Sequence, residues 1–206
     1  YANISQNYRS ITFSDVNIIN PSNAVDPALN DENGFTIDIG ARGNINNYIS
    51  YDVGVFGLFY KDRIGFLFTA IPPINNLGQL RTNIGDARIL GLESVLDVNL
   101  KKVFQMGEQL SLNYFINTSV INSKYTNAIT NGILGNRVEF VPEVNLKTGI
   151  RFGVKNFSSS LQYTYLSDQF SDAENSFSGD VSGIIGVIPS YNVLDFSAAY
   201  SHKFIK

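Results

Sequence analysis

The sequence predicts an all-β chain, an antiparallel meander of about eight long strands patterned for crossing a membrane. Three observations carry that reading. Apolar and polar residues alternate with period 2 over most of the chain, and no helical period of 3.6 is sustained. Many of the alternating runs reach the nine to eleven residues that a tilted strand needs to cross a bilayer, beyond the usual five or six of a soluble sheet. The connectors between them alternate short and long, as short turns on one side of a membrane and longer loops on the other would.

The strands are expected at about residues 1–13, 34–43, 47–67, 86–102, 109–124, 138–155, 157–168 and 190–205. In the second, Phe35, Ile37, Ile39 and Ala41 oppose Thr36, Asp38, Gly40 and Arg42. The fourth is the clearest: Leu90, Leu92, Leu96 and Val98 oppose Gly91, Glu93, Asp97 and Asn99. In the fifth, Leu110, Leu112, Tyr114, Ile116 and Val120 oppose Ser111, Asn113, Asn117 and Ser119. In the sixth, Leu146, Ile150, Phe152 and Val154 oppose Asn145, Lys147, Arg151 and Gly153, and in the last, Leu194, Phe196 and Tyr200 oppose Asp195, Ser197 and Ser201. Successive side chains leave a strand on opposite faces. Leu92, Leu96, Leu112, Ile116, Leu146, Ile150, Leu161 and Phe196 are therefore expected on a convex, lipid-facing side. Glu93, Asp97, Asn113, Asn145, Lys147, Arg151 and Asp195 are expected on a concave, lumenal side.

Residues 43–46, 102–108 and 155–157 form the short connectors. Residues 14–33, 68–85, 125–137 and 169–189 form the long ones, rich in Asn, Ser, Gly, Asp or Pro. A soluble sandwich would also alternate, but its loops need not sort by parity.

Composition narrows the function. The net charge is −3, which leaves no basic footprint for nucleic acid. Cysteine is absent and histidine occurs once, excluding a disulfide framework and a site built on several imidazoles. No apolar run is long enough for a transmembrane helix. No leader is evident at Tyr1, and both ends read as cut. Ser158, Ser159 and Ser160 have no His or Asp partner in sequence context, and His202 lies near a strand end by a short turn, so no catalytic triad is found and no enzyme is expected.

A series of local motifs resembles, in order, the C-terminal part of the TonB-dependent receptors. Tyr1, Ser5, Tyr8 and Arg9 are similar to an upward strand of that family. Asp26-Pro27, Leu29 and Glu32 resemble a loop in which Asn usually stands at the position of Asp26. Asp38, Gly40 and Arg42 resemble a strand in which Glu is usual at Asp38. Val55-Phe56 with Tyr60-Lys61-Asp62, then Asn83, Gly85, Ala87, Gly91 and Glu93, match two further segments. Val141-Pro142-Glu143 echoes a strand start with Glu in place of histidine, and Tyr191 with Asp195 echoes the entry to a downward strand. Residues 7–16 and 183–195 look like receptors for ferric dicitrate.

The resemblance implies a barrel of roughly 22 strands with a plugged lumen. Residues 1–206 would supply part of that barrel domain, with the plug and the last strands lying outside them. It implies transport of a ferric chelate, with TonB engaged through the plug, outer-membrane lipid around the barrel and no cofactor. An anionic chelate such as ferric citrate suits guanidinium forks, which offer paired donors to a carboxylate. Arg9, Arg81, Arg88 and Arg137 sit near the outside strand ends or in long loops and are the expected ligand contacts. The plainer reading of each is a solvated loop arginine. Two other functions stay open. A glycan importer of the same architecture would favour aromatic platforms in the loops. An outer-membrane enzyme barrel would need a nucleophile or acid pair at one rim. Glu143, Lys147 and Arg151 read as a ladder of charges on one strand face rather than as a site.

Overall fold

A computed structural model describes residues 1–17, 23–71, 76–179, 181 and 185–202. In chain order these form β1 (Ala2–Arg9), α1 (Phe13–Val16), β2 (Asn23–Val25), β3 (Glu32–Ile45), β4 (Ile49–Ile71) and β5 (Asn76–Asn99). There follow α2 (Leu100–Val103), β6 (Leu110–Ala128), β7 (Val144–Val154), β8 (Phe157–Leu166), β9 (Gln169–Phe170), β10 (Val187–Ile188) and β11 (Tyr191–Tyr200). The long strands pair antiparallel in the order β1-β3-β4-β5-β6-β7-β8-β11, an eight-strand meander in one sheet. The short β2 adds to β5 in parallel, and β9 and β10 form a separate two-stranded ribbon.

The short connectors are tight for identifiable reasons. Between β3 and β4, Asn46 and Asn47 both take positive φ, at 47° and 57°, and the Tyr48 N–H returns to the Ile45 carbonyl at 2.8 Å. Asparagine tolerates that left-handed conformation better than most residues, and a two-residue turn of this hand matches the twist of the strands. Past β5, Asn99 accepts the Lys102 N–H at 3.1 Å and opens the single-turn α2.

Several expected boundaries move. Residues 68–85, expected as a long loop, are mostly strand: β4 runs to Ile71 and β5 starts at Asn76, with 72–75 outside the described residues. The register shifts where Arg63 pairs with Gly85 and again between Asp86 and Ala87, and Gly85 takes a φ of 152°. A bulge of this kind hides a continuing strand from a period-2 reading. β7 starts at Val144 rather than near 138, because Pro142 has no N–H to give a ladder. β1 ends at Arg9 and β11 at Tyr200, shorter than expected, while the expected strand end at 203–205 lies outside the described residues. β6 continues to Ala128.

The pairing register sorts the side chains cleanly. One row across the sheet joins Asp97, Phe115 and Gly149, and another joins Glu93, Ser119 and Asn145. On this face Arg42 Nη2 meets Asp52 at 2.7 Å, Asn3 donates to Asp38 at 2.9 Å, and Arg151 pairs with Asp97 over the Phe115 ring. Rows such as Leu92–Val120 and Ile116–Thr148 form the other face, which is apolar and exposed: Ile39 56%, Val55 52%, Val120 48% and Leu161 45%. A water-soluble sheet would bury that set and expose the polar one. Lys147 and Arg151 share the polar face, as expected.

Among the described residues a small buried core sits at the long-loop end. Ile84, Ala87, Ile89 and Tyr125 pack against Ile133, Val138 and Ala173 from the loops. The segment after β6 folds back to make it: the Tyr125 N–H donates to the Asn136 carbonyl at 2.9 Å, and the Gly135 N–H donates to the Tyr125 carbonyl at 2.9 Å. Asn136 then ties this loop to the next one through the Ala173 carbonyl at 3.0 Å.

Candidate functional site

The polar groups with chemistry to offer gather at the same end, around Asp15. The chain leaves β1 and makes the single turn of α1, which brings Asp15 back beneath Arg9. The Thr12 hydroxyl and N–H donate to one Asp15 oxygen at 2.7 and 2.9 Å. Arg9 Nη2 reaches both oxygens at 2.7 and 2.9 Å, and Arg81 Nη2 reaches Oδ1 at 2.5 Å. The Asp15 side chain is 1% exposed. Burial by itself pushes that carboxyl up, but the bonds from Thr12, Arg81 and Arg9 outweigh it and hold it well below the usual carboxylate range.

The rest of this segment is pinned beside it. Asp26 accepts the Thr82 hydroxyl at 2.7 Å and the Ala28 N–H at 2.8 Å, which lower its pKa. Asn23–Val25 run parallel to Gln79–Arg81. Tyr8 and the Ile11 N–H both donate to Asp31, lowering its pKa in turn. Residues 10–17 and 23–31 thus form a strap fixed by carboxylates along β1 and β5.

Two adjoining clefts open beside the strap. One, of about 370 Å³, is walled by Arg63, Phe66, Gln79, Arg81, Glu139 and Asp172. The other, of about 440 Å³, is walled by Arg9, Glu32, Tyr60, Arg63 and Arg81. Arg63 and Arg81 stand in both. Arg63 Nη2 meets Glu139 at 2.9 Å, whose second oxygen accepts the Tyr125 hydroxyl at 2.7 Å. Arg81 lies 4.5 Å over the Phe66 ring. The Nε atoms of Arg63 and Arg81 are buried with no acceptor. One donor on each guanidinium is thus left unpaired, beneath the surface of the clefts. Among the described residues no group of three or more His, Cys, Asp or Glu side chains is placed to hold a metal.

The four expected arginines divide. Arg9 and Arg81 come together on Asp15 and line the clefts. Arg137 stays at the same end but binds loop to loop: Nη1 to Asp168 at 3.1 Å, Nε to Glu143 at 3.6 Å, with Phe170 beneath the guanidinium at 5.3 Å. Arg88, expected with them, stands on the other face of the sheet. Its neighbours Ala87 and Ile89 are in the core, and strand alternation sends Arg88 to the apolar side opposite Phe59 and Lys124. Sequence reading missed Arg63 and Asp15. Arg63 follows the Asp62 bulge, which alters the face its parity suggests, and Asp15 reaches the site through a turn that leaves no periodic signal.

The family model for the TonB dependent receptor-like β-barrel matches residues 1–205, so the chain belongs to that family. No curated protein sequence matches it. Among solved structures it resembles the unliganded ferric citrate transporter FecA, with a TM-score of 0.73 and 18% identity over 98% of this chain. It also resembles the copper transporter OprC, at 0.70 and 13% over 97%. The ferric yersiniabactin uptake receptor FyuA from Yersinia pestis follows at 0.63 and 18% over 97%. At these identities the likeness is one of fold. The chain spans 28% of the FecA chain, 28% of the OprC chain and 27% of the FyuA chain.

Proposed function

We propose that this chain is part of the outer-membrane barrel of a receptor that takes up an anionic ferric chelate, such as ferric citrate or a siderophore, with energy delivered by TonB to a plug domain beyond these residues. The observation that carries the reading is the pair of clefts at the long-loop end. They are walled by Arg9, Arg63 and Arg81 on a sheet whose family is one of membrane receptors. The apolar, exposed face fits contact with lipid, and the polar face fits a hydrated lumen. Arg9 and Arg81 would meet carboxylates of the ligand as they meet Asp15, and Arg63 as it meets Glu139, with Arg137 holding the surrounding loops in place. The ligand is carried without covalent change.

Asp15 makes the proposal testable, because it occupies the donors a ligand carboxylate would use. In the intact receptor, Asp15→Asn removes the carboxylate that Arg9 and Arg81 share, leaving Arg9 on Glu32 alone, and is expected to tighten ferric-citrate binding. Arg81→Ala is expected to weaken it by tenfold or more, about what losing one charge-assisted pair costs. Surface display of both variants should equal that of the parent. Unchanged binding in both would reject the arginine clefts, and binding of a neutral glycan but no ferric chelate would favour a glycan importer.

A further inference from the structure

The two clefts beside the strap differ in charge. The larger is walled by three arginines, Arg9, Arg63 and Arg81, against the single acid Glu32. The smaller keeps Arg63 and Arg81 but sets three acids, Glu139, Asp172 and Glu174, against them. Its charges are sorted by wall. Arg63 and Arg81 stand on β4 and β5, whereas Asp172 and Glu174 stand on the loop after β9. Glu139 is taken by Arg63 and by the Tyr125 hydroxyl. The Asp172 carboxylate accepts neutral donors, the Ser176 N–H at 3.2 Å and the Ser176 hydroxyl at 3.1 Å. Neither Asp172 nor Glu174 makes an ion pair among the described residues. Burial and the Asp172 charge push the Glu174 carboxyl above its ordinary value. Two acids in that state gain from any cation that comes between them.

An aromatic ring stands at this end of the cleft. The Phe140 N–H donates to the Phe170 carbonyl at 2.8 Å, two residues before Asp172. Phe140 lines the cleft, is 61% exposed and has a φ of 59°. Few residues as bulky as phenylalanine take that left-handed backbone, and residues held in it gather at ligand sites. An exposed ring face attracts a cation, and its apolar surface covers the methylenes of an alkylammonium group. A cleft of about 370 Å³ thus separates a cationic wall from an anionic and aromatic one. Ferric citrate, whose ionised groups are all negative, would leave the second wall without a partner.

We infer that the smaller cleft takes a chelate bearing both a carboxylate and a primary ammonium group, the carboxylate on Arg63 and Arg81 and the ammonium on Asp172 and Glu174 against the Phe140 ring. The inference rests on the uptake reading and narrows its substrate to a zwitterionic chelate. Each end of such a ligand gains a charge-assisted hydrogen bond, and the arginines add paired donors of fixed geometry.

The test uses the full-length receptor in detergent and a linear ferric trihydroxamate with a primary amine at one end and a carboxylate at the other. Dissociation constants are measured by titration calorimetry. The parent is expected to bind this chelate about tenfold more tightly than its N-acetylated form, the scale of one charge-assisted hydrogen bond. Amidating the carboxylate instead should cost a similar factor. Glu174→Gln should cut the preference for the amine about threefold or more, and the Asp172→Asn, Glu174→Gln double variant should abolish it. Phe140→Leu, which keeps an apolar side chain but removes the ring, should lower the preference by roughly twofold to fivefold. Heat-modifiable migration of each variant checks that the barrel is intact. Equal binding of the amine and acetylated forms by the parent overturns the inference, as does a double variant that keeps the parent's preference. Tolerance of the amidated form overturns it too. Putrescine that competes as well as the chelate would assign the acids to a free amine and also overturn it. A receptor that binds ferric citrate but shows no preference for the amine fails this inference alone. One that binds neither ferric citrate nor any of the trihydroxamates fails the uptake reading beneath it.

Discussion

Asp15 shows how one residue holds a loop by charge where little apolar area is available. It accepts two bonds from Thr12 and pairs with two arginines, inside a surface otherwise made of short polar contacts. Its pKa in the folded chain lies below the ordinary 3.8. A lowered carboxylate contributes stability that is fully present above that ordinary value and is lost as pH falls through the depressed one. The strap should therefore stay docked from neutral pH down to about 4 and loosen only in stronger acid. Hydrogen exchange at the amides of residues 11–17 across that range measures this. Asp15→Asn should raise exchange at neutral pH and flatten its acid dependence. Loosening of the parent strap between pH 7 and 5 would contradict the assignment of the stabilising charge to Asp15.

At the scale of the strand, the two faces should respond oppositely to the same substitution. Leu92 lies on the apolar face midway along the spanning part of β5, whereas Asn117 lies on the polar face of β6 opposite Val95. Leu92→Arg places a charge in the hydrocarbon and should cost about 2–4 kcal/mol. Asn117→Arg leaves its charge in a hydrated lumen and should cost well under that. Urea unfolding of the intact receptor in lipid vesicles compares the two, and equal costs would mean that the faces are assigned wrongly. Alternation alone fixed this sorting, because slipping a strand by one residue would exchange the faces throughout. Where alternation failed, so did the strand boundaries. The bulges about Arg63 and Gly85 and the proline at 142 alter pairing without altering composition, and only the observed register shows that β5 begins ahead of its bulge and that β7 begins after the proline.

For the whole molecule, the decisive feature is that the meander is open. Among the described residues β1 and β11 are the two ends of the sheet, and each has a strand partner on one side only. Every residue of β11 is exposed. In a membrane such an edge is excluded, because lipid offers no hydrogen bonds to it. Residues 1–206 expressed alone should therefore fail to give a heat-modifiable monomer and should aggregate through their edges. Electrophoresis without boiling, after refolding into detergent, reads this directly. A compact, heat-shifting monomer would show that the chain closes on itself. If further strands complete the barrel, as proposed, supplying them in trans should rescue folding.

By itself the sequence determined the all-β class, the eight-strand meander and the face each residue of the regular strands takes. These follow from a period-2 pattern that acts between neighbours in the chain and survives in any context that pairs the strands. The family resemblance was legible in motifs, most of which sit on those same strands and two in the loops at 26–29 and 141–143. Only the tertiary structure decided which charges meet. Asp15 finds Arg81 across 66 positions, and Glu139 finds Arg63 across 76. Arg88 departs from the other expected arginines because one residue of parity places it on the opposite face. Long-range pairing depends on loop paths and on a bulge, and neither leaves a local periodic trace. The sequence could thus name the arginines but could not sort them into a cleft wall, a loop clamp and a cation on the apolar face.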